Sequence, residues 1–120
     1  SIQFLAMGHG WEAWKTMPHE RQRLIDLIDT SSSDSVLFIS GDRHRGGLYQ
    51  LTSSSGKNIV EMTSSSLNLS FTNDEEAGPL RIGPTFVQEN YGEILLNKLT
   101  NKLTVNLKDN QGSIVQSVDL

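Results

Sequence analysis

The sequence contains no cysteine. That excludes a disulfide framework, thiolate catalysis and cysteine-ligated zinc or iron–sulfur centres, and it leaves the compartment open. No apolar run approaches the roughly 20 residues needed to cross a bilayer as a helix. No excess of basic charge is present either: 10 Lys and Arg stand against 14 Asp and Glu, for a formal charge of −4. Nucleic acid is therefore not expected as a partner, because phosphate backbones select clustered cations. There is no Gly-x-Ser-x-Gly elbow, no phosphate-binding glycine loop closed by Lys-Ser or Lys-Thr, and no dinucleotide fingerprint. The stretch after Ser1 shows neither a basic nor a long apolar segment, so no signal peptide is expected there.

What is present suits a chain of 120 residues folding as one domain over 1–120. Such a domain buries roughly two-thirds of the surface of its unfolded chain. Residues 1–17 fit either a short strand (Ile2, Phe4, Leu5, Met7) or an irregular docking segment, with Gly8 and Gly10 loosening the chain around His9. A helix is expected from Pro18, whose missing N–H has no partner in a first turn. Thr16 is the expected cap, and Glu20 suits the positive end of the helix dipole. Leu24, Ile25 and Ile28 form an apolar stripe with Leu27 beside it, leaving Arg21, Gln22, Arg23 and Asp26 for solvent. The Thr30–Asp34 run ends the helix.

Val36-Leu37-Phe38-Ile39 is a continuous apolar run. It predicts a strand buried on both faces, in the middle of a parallel or mixed sheet. Modest strands are expected near 48–52 and 58–63, and a long surface loop over 64–88. The string Thr-Ser-Ser-Ser, at 30, 52 and 63, is turn composition and not a repeat. Glu93-Ile94-Leu95-Leu96 is strand-like, and alternating apolar residues at 103–107 and beyond the Asp109–Gly112 turn predict a C-terminal antiparallel hairpin with one apolar and one wet face. The expected class is α+β with one main helix.

The candidate chemistry lies just past the apolar run, at Ser40-Gly41-Asp42-Arg43-His44. A carboxylate and an imidazole two residues apart, leaving a strand through glycine, can turn toward one point, and mixed oxygen–nitrogen sets hold metal ions. Arg43 and Arg45 can meet a phosphate oxygen. The same residues also suit a tight turn in which Asp42 caps amides and His44 is exposed. His9 fits a close approach to a ligand or a loop. His19 with Glu20 fits an acid–base pair or an exposed first turn. Trp11 and Trp14 fit a pocket wall or core packing, and Ser64–Ser66 a site neighbour or plain loop composition.

The order of these segments resembles a known family. Trp11, then Pro18-His19-Glu20-Arg21-Gln22-Arg23-Leu24-Ile25, then Val36 to His44 with its Ser-Gly-Asp-x-His string, then Gly47-Leu48-Tyr49, Glu61 to Leu67 and Asn90-Tyr91-Gly92-Glu93-Ile94 are similar to the C-terminal part of PhoD-like alkaline phosphatases, of the calcineurin-like metallophosphoesterase superfamily. The resemblance covers most of residues 11–96. It implies a two-sheet sandwich with helices outside and hydrolysis of phosphate esters by a metal-bound water on two ions (Fe, Ca, Zn or Mn). It makes His44 a metal ligand and Asp42 a ligand or its neighbour; Arg43 stands where the family often has a small apolar residue, and its charge makes it, with Asp42, a candidate catalytic residue. The family's earlier aspartate, Gly-Asp and Asn motifs are not in this sequence, so the chain is expected to be the C-terminal portion of a longer enzyme, inactive alone, whose partner is the missing N-terminal part. Relatives are often periplasmic or secreted. The competing expectation is a small non-catalytic α+β module that binds through its loops or an edge hairpin.

Overall fold

The computed structural model describes residues 2–73 and 78–120. Ser1 and residues 74–77, which belong to the expected 64–88 loop, lie outside them. The described residues form a mixed α+β fold with one α-helix and seven strands in two sheets. No helix among them is long and apolar enough to cross a membrane.

The helix, α1 (Pro18–Thr30), starts at the expected proline, with Ile25 and Ile28 buried and Leu24 half-buried against the core. Leu27 stays exposed. Two expectations fail here. Thr16 does not cap the helix; its hydroxyl donates to Ala13 O inside a short 3-10 turn (Trp14–Thr16), and Met17 takes the cap position without a side-chain bond. Arg21 does not face solvent. Its Nε donates to Phe4 O at 2.8 Å, and its guanidinium lies 5.3 Å from the Phe4 ring centroid.

The first sheet has the order β1-β3-β2-β4, with β1 at Ser35–Ser40, β2 at Gly46–Thr52, β3 at Asn58–Ser64 and β4 at Arg81–Phe86. β1 runs parallel to β3, and β2 runs antiparallel to it. β1 is therefore an edge strand among the described residues, not the central strand its apolar run predicts. Val36, Leu37 and Phe38 are half-buried, and Ile39 is 63% exposed. The centre belongs to β3, whose Ile59 to Thr63 are all buried. β4 corrects the expected loop over 64–88. Its Gly83 (φ +67°) and Pro84 hide the strand from sequence reading, yet an edge strand tolerates a proline whose N–H the ladder does not need.

The second sheet is the antiparallel meander β5 (Asn90–Asn97), β6 (Lys102–Asp109) and β7 (Ile114–Asp119), in which the strand-like Glu93–Leu96 stretch pairs with the expected hairpin. Its polar face is not simply wet. Asn106, 2% exposed, donates to Glu93 Oε2 and accepts from Ser117 Oγ, while Lys108 Nζ meets Glu93 Oε1 at 2.7 Å. Those contacts, Lys108 first, hold the Glu93 carboxyl below its ordinary range.

Strand alternation sorts the core into two layers. On one face of the first sheet, Val36, Phe38, Tyr49, Leu51 and Ile59 pack with Ile25 and Ile28 of α1 and with Phe4, Leu5 and Ala6. On the other face, Leu37, Leu48 and Met62 meet Val105, Leu103 and Val118 of the second sheet. The sheets approach closely at Gly46, where a Cβ would lie 2.7 Å from both methyls of Leu107. A hydroxyl cluster closes the far end of the molecule: Ser53, Ser54 and Ser55 hold the Asp29 carboxyl down at about 2.

The N-terminal segment docks irregularly instead of forming a strand. Glu61, in the middle of β3 and fully buried, accepts the Phe4 N–H at 2.9 Å through one oxygen and the Leu5 N–H at 2.5 Å through the other. Glu61→Leu leaves both amides buried without partners and is expected to cost about 3 kcal/mol in denaturant unfolding; a loss below about 1 kcal/mol would refute the clamp. Gly46→Ala is expected to cost about 1–3 kcal/mol by the same measurement, because Leu107 is fully buried and has little room to yield.

Candidate functional site

The connection from β1 to β2 passes over the end of β3, where the carboxyl ends of the parallel pair β1 and β3 lie together. Ligands bind at such ends in open α/β sheets. Ser40 Oγ and Thr63 Oγ1, 2.8 Å apart, tie the two strand ends. Gln3 Nε2 donates to Gly41 O at 2.5 Å and anchors the start of the turn to the N-terminal segment.

The turn itself is strained. Asp42 (φ +69°) and His44 (φ +52°) both adopt the left-handed conformation. For residues with a Cβ this costs about 1–2 kcal/mol each and persists only where the surroundings enforce it. Serines supply part of the enforcement. Ser65 Oγ accepts the Arg43 N–H at 2.9 Å and donates to Arg45 O at 3.3 Å. Ser66 Oγ donates to Leu69 O at 2.9 Å, shaping the chain that runs back to the turn.

Asp42, Arg43 and His44 line one cleft of about 380 Å³ together with Arg45. The cleft's other lining comes from Gln3, Trp11 and Glu12 of the N-terminal segment and from Phe71 and Asn73 of the loop after β3. The three candidate residues therefore share a single site. Asp42 is exposed there, and His44 is half-buried. His44 Nδ1 lies 3.0 Å from Leu69 O. A carbonyl only accepts, so a neutral ring carries its proton on Nδ1 and its lone pair on Nε2. The ring stacks on Phe71 at 4.2 Å and 14°, and the Phe71 N–H donates to His44 O.

Arg45, 3% exposed, is a builder of this cleft more than a wall of it. Its Nη1 donates to Thr85 Oγ1 at 3.2 Å and its Nη2 to Phe71 O at 3.1 Å, tying β4 and the 71–73 loop to the turn. Burial lowers the pKa of Arg43, and the neighbouring Arg45 charge acts in the same direction.

His9 is the second buried imidazole of interest, at 5% exposure. Its Nδ1 accepts the Trp11 N–H at 3.2 Å, so the neutral ring carries its proton on Nε2, which has no partner among the described residues. Lys15 Nζ donates to His9 O. Burial, then the charges of Arg43, Lys15 and Arg45, press the His9 pKa down from 6.5 to about 4. His19 is exposed on α1 and does not line the cleft. Trp11 is a cleft wall, whereas Trp14 packs edge-on against Phe4 at 5.3 Å.

The site residues that sequence reading did not single out are Gln3, Glu12, Phe71 and Asn73. None carries a periodic or motif signal, since they arrive from segments far apart in the chain. Among the described residues, no three His, Asp or Glu side chains gather closely enough to hold a metal ion. Asp42 and His44 have the right donor chemistry, but the described residues do not complete a metal centre.

A His whose folded pKa lies below its unfolded value stabilises the neutral state. Its contribution is complete above about pH 6.5 and is lost as pH falls through about 4. The expected size is on the order of 3 kcal/mol. His9→Gln is expected to flatten the decline in unfolding free energy between pH 7 and pH 4, and NMR titration of the native chain should find one imidazole still neutral at pH 5. A His9 that titrates near 6.5 would contradict its burial among cations. Comparison of the chain with protein-family models, with curated proteins and with solved structures returned no match.

Proposed function

We propose that this chain is the C-terminal portion of a PhoD-like, metal-dependent phosphatase or phosphodiesterase. In this reading Asp42 and His44 are two ligands of a two-ion centre, and Arg43 meets an oxygen of the phosphate ester. The observation that carries the reading is the fixed His44 ring. Its Nδ1 proton is committed to Leu69 O, so Nε2 is left as a Lewis base in the same cleft as Asp42 and Arg43. A histidine ligand is commonly oriented in this way, by a carbonyl on its other nitrogen. When bound, the ions would activate water and neutralise phosphate charge.

Each residue has a task that needs no further assumption about the ions. The left-handed backbone at Asp42 and His44 turns their side chains out of the β1 direction and into the cleft. Ser65 holds the Arg43 amide between them. Phe71 covers one face of the His44 ring, keeping it from rotating. A cleft that ends at Asp42 and His44 is half a centre, and the open edge of β1 supports a place for the rest. That edge is Ser-Val-Leu-Phe-Ile-Ser, with no charge, no proline and no bulge. Strands that end a sheet are normally blunted by such features. An additional strand on β1 would bring its own carboxyl end beside Asp42.

A second reading, a non-catalytic binding module, draws on the apolar groove of Ile39, Met62, Leu67, Tyr91 and Ile94 and on the fully protruding Leu99 of the β5–β6 turn. It leaves the strained turn and the oriented imidazole without a task, so the hydrolase reading is preferred.

The test uses the complete gene product that contains this chain. Hydrolysis of a chromogenic phosphate ester is expected to fall about 100-fold or more in His44→Ala and Asp42→Asn, with loss of bound metal by elemental analysis. His19→Ala, on the exposed helix face, should retain activity. Unchanged turnover in His44→Ala would reject the assignment.

A further inference from the structure

The lining of the cleft is chemically divided. Asp42, Arg43, His44, Arg45 and Glu12 form its ionic part, Gln3 and Asn73 add amides, and the rings of Trp11 and Phe71 form its apolar part. Trp11 is 65% exposed and Phe71 is 44% exposed. Neither ring belongs to the two core layers, in contrast with Trp14. In a chain with only 7% aromatic residues, two large rings facing solvent within one cleft are unusual, and clustered exposed apolar surface marks binding.

The site holds the Phe71 ring and the Trp11 backbone in place. The Phe71 backbone is bound at its N–H by His44 O and at its carbonyl by Arg45, while its ring rests on the His44 imidazole. The Trp11 backbone N–H is bound by His9 Nδ1, which fixes where its side chain leaves the chain. Aromatic side chains offer a flat π face at little entropic cost. The volume, about 380 Å³, falls at the lower end of small-ligand sites and is larger than a phosphate group requires.

We infer, on the reading of the cleft as a phosphate-ester site, that its substrate carries a planar aromatic group on the alcohol side of the ester, which lies against the Trp11 ring while the phosphate faces Arg43. Aliphatic phosphate esters lack a surface that uses Trp11 and are poorer ligands.

The experiment uses the complete gene product that contains this chain. Inhibition constants against hydrolysis of a chromogenic phosphate ester are measured for benzylphosphonate, an uncleavable analogue of phenyl phosphate, for propylphosphonate, for inorganic phosphate and for phenol. Benzylphosphonate is expected to bind about tenfold tighter than propylphosphonate, the scale of one stacking contact. Trp11→Ala should bring the ratio of the two affinities to about one, and Trp11→Phe should restore most of it. If propylphosphonate and inorganic phosphate inhibit but benzylphosphonate is no tighter, or if the ratio survives Trp11→Ala, the aromatic preference is overturned and the phosphate site stands. If the ester is not hydrolysed, if neither phosphate nor phosphonate inhibits, or if phenol binds as tightly as benzylphosphonate, the phosphate site itself is overturned and the preference falls with it.

Discussion

The buried carboxylate of Glu61 is the constraint on which the rest of the molecule depends. A carboxylate at the centre of a sheet is costly unless hydrogen bonds and charge compensate it. Here the compensation comes from the N-terminal segment and the helix together. Phe4 and Leu5 supply two amides, and the guanidinium of Arg21 lies close enough that the Glu61 charge opposes the effect of burial on its pKa. Arg21 in turn holds Phe4 O. One side chain on β3 thus fixes an irregular segment that has no ladder of its own. Phe4, Leu5 and Ala6 then complete the core layer under α1.

That clamp extends to the site. Once Phe4 is fixed, Gln3 reaches Gly41 O, and the chain leaving Ala6 brings Trp11 and Glu12 to the cleft beside the β1–β2 turn, with His9 buried behind the Trp11 amide. The cleft is therefore made between two segments that Glu61 holds together, and not by the Asp42–His44 turn alone. The left-handed backbone at Asp42 and His44 is stable only because Ser65, Leu69, Phe71 and Arg45 surround it with bonds. Strain stored at a polar turn, in a cleft between a sheet end and a docked segment, is the arrangement expected where side chains must be presented and not merely accommodated.

The two sheets divide the labour. The first sheet carries the turn, the clamp and the cleft. The second sheet closes the opposite core layer through Val105, Leu103 and Val118, whereas the described lining of the cleft comes from the N-terminal segment, the β1–β2 turn and the loop after β3. Gly46 lies where the two tasks meet, since it begins β2 directly after Arg45 and also admits Leu107 of β6. The open edge of β1 and the groove beside Ile39 keep apolar surface on the flank nearest the cleft.

Local physics made much of this legible in the sequence. Pro18 fixed the helix start, the spacing of Leu24, Ile25 and Ile28 set its buried stripe, and alternation at 103–107 announced β6. The Asp42-x-His44 pair could be singled out because both are polar residues released from an apolar strand by a glycine. The tertiary structure alone decided what depends on contacts between distant segments. Burial is a property of neighbours, so four apolar residues in a row could not reveal that β1 lies at an edge and that β3, with a charged residue in its middle, lies at the centre. β4 was hidden because its glycine and proline speak against a strand, and only pairing with β2 gives it one. Trp11 and Trp14 are the same residue type three positions apart, yet one walls a cleft and the other fills a core. What separates them is the docking of the segment by Glu61, an interaction spanning more than fifty residues that no local pattern encodes.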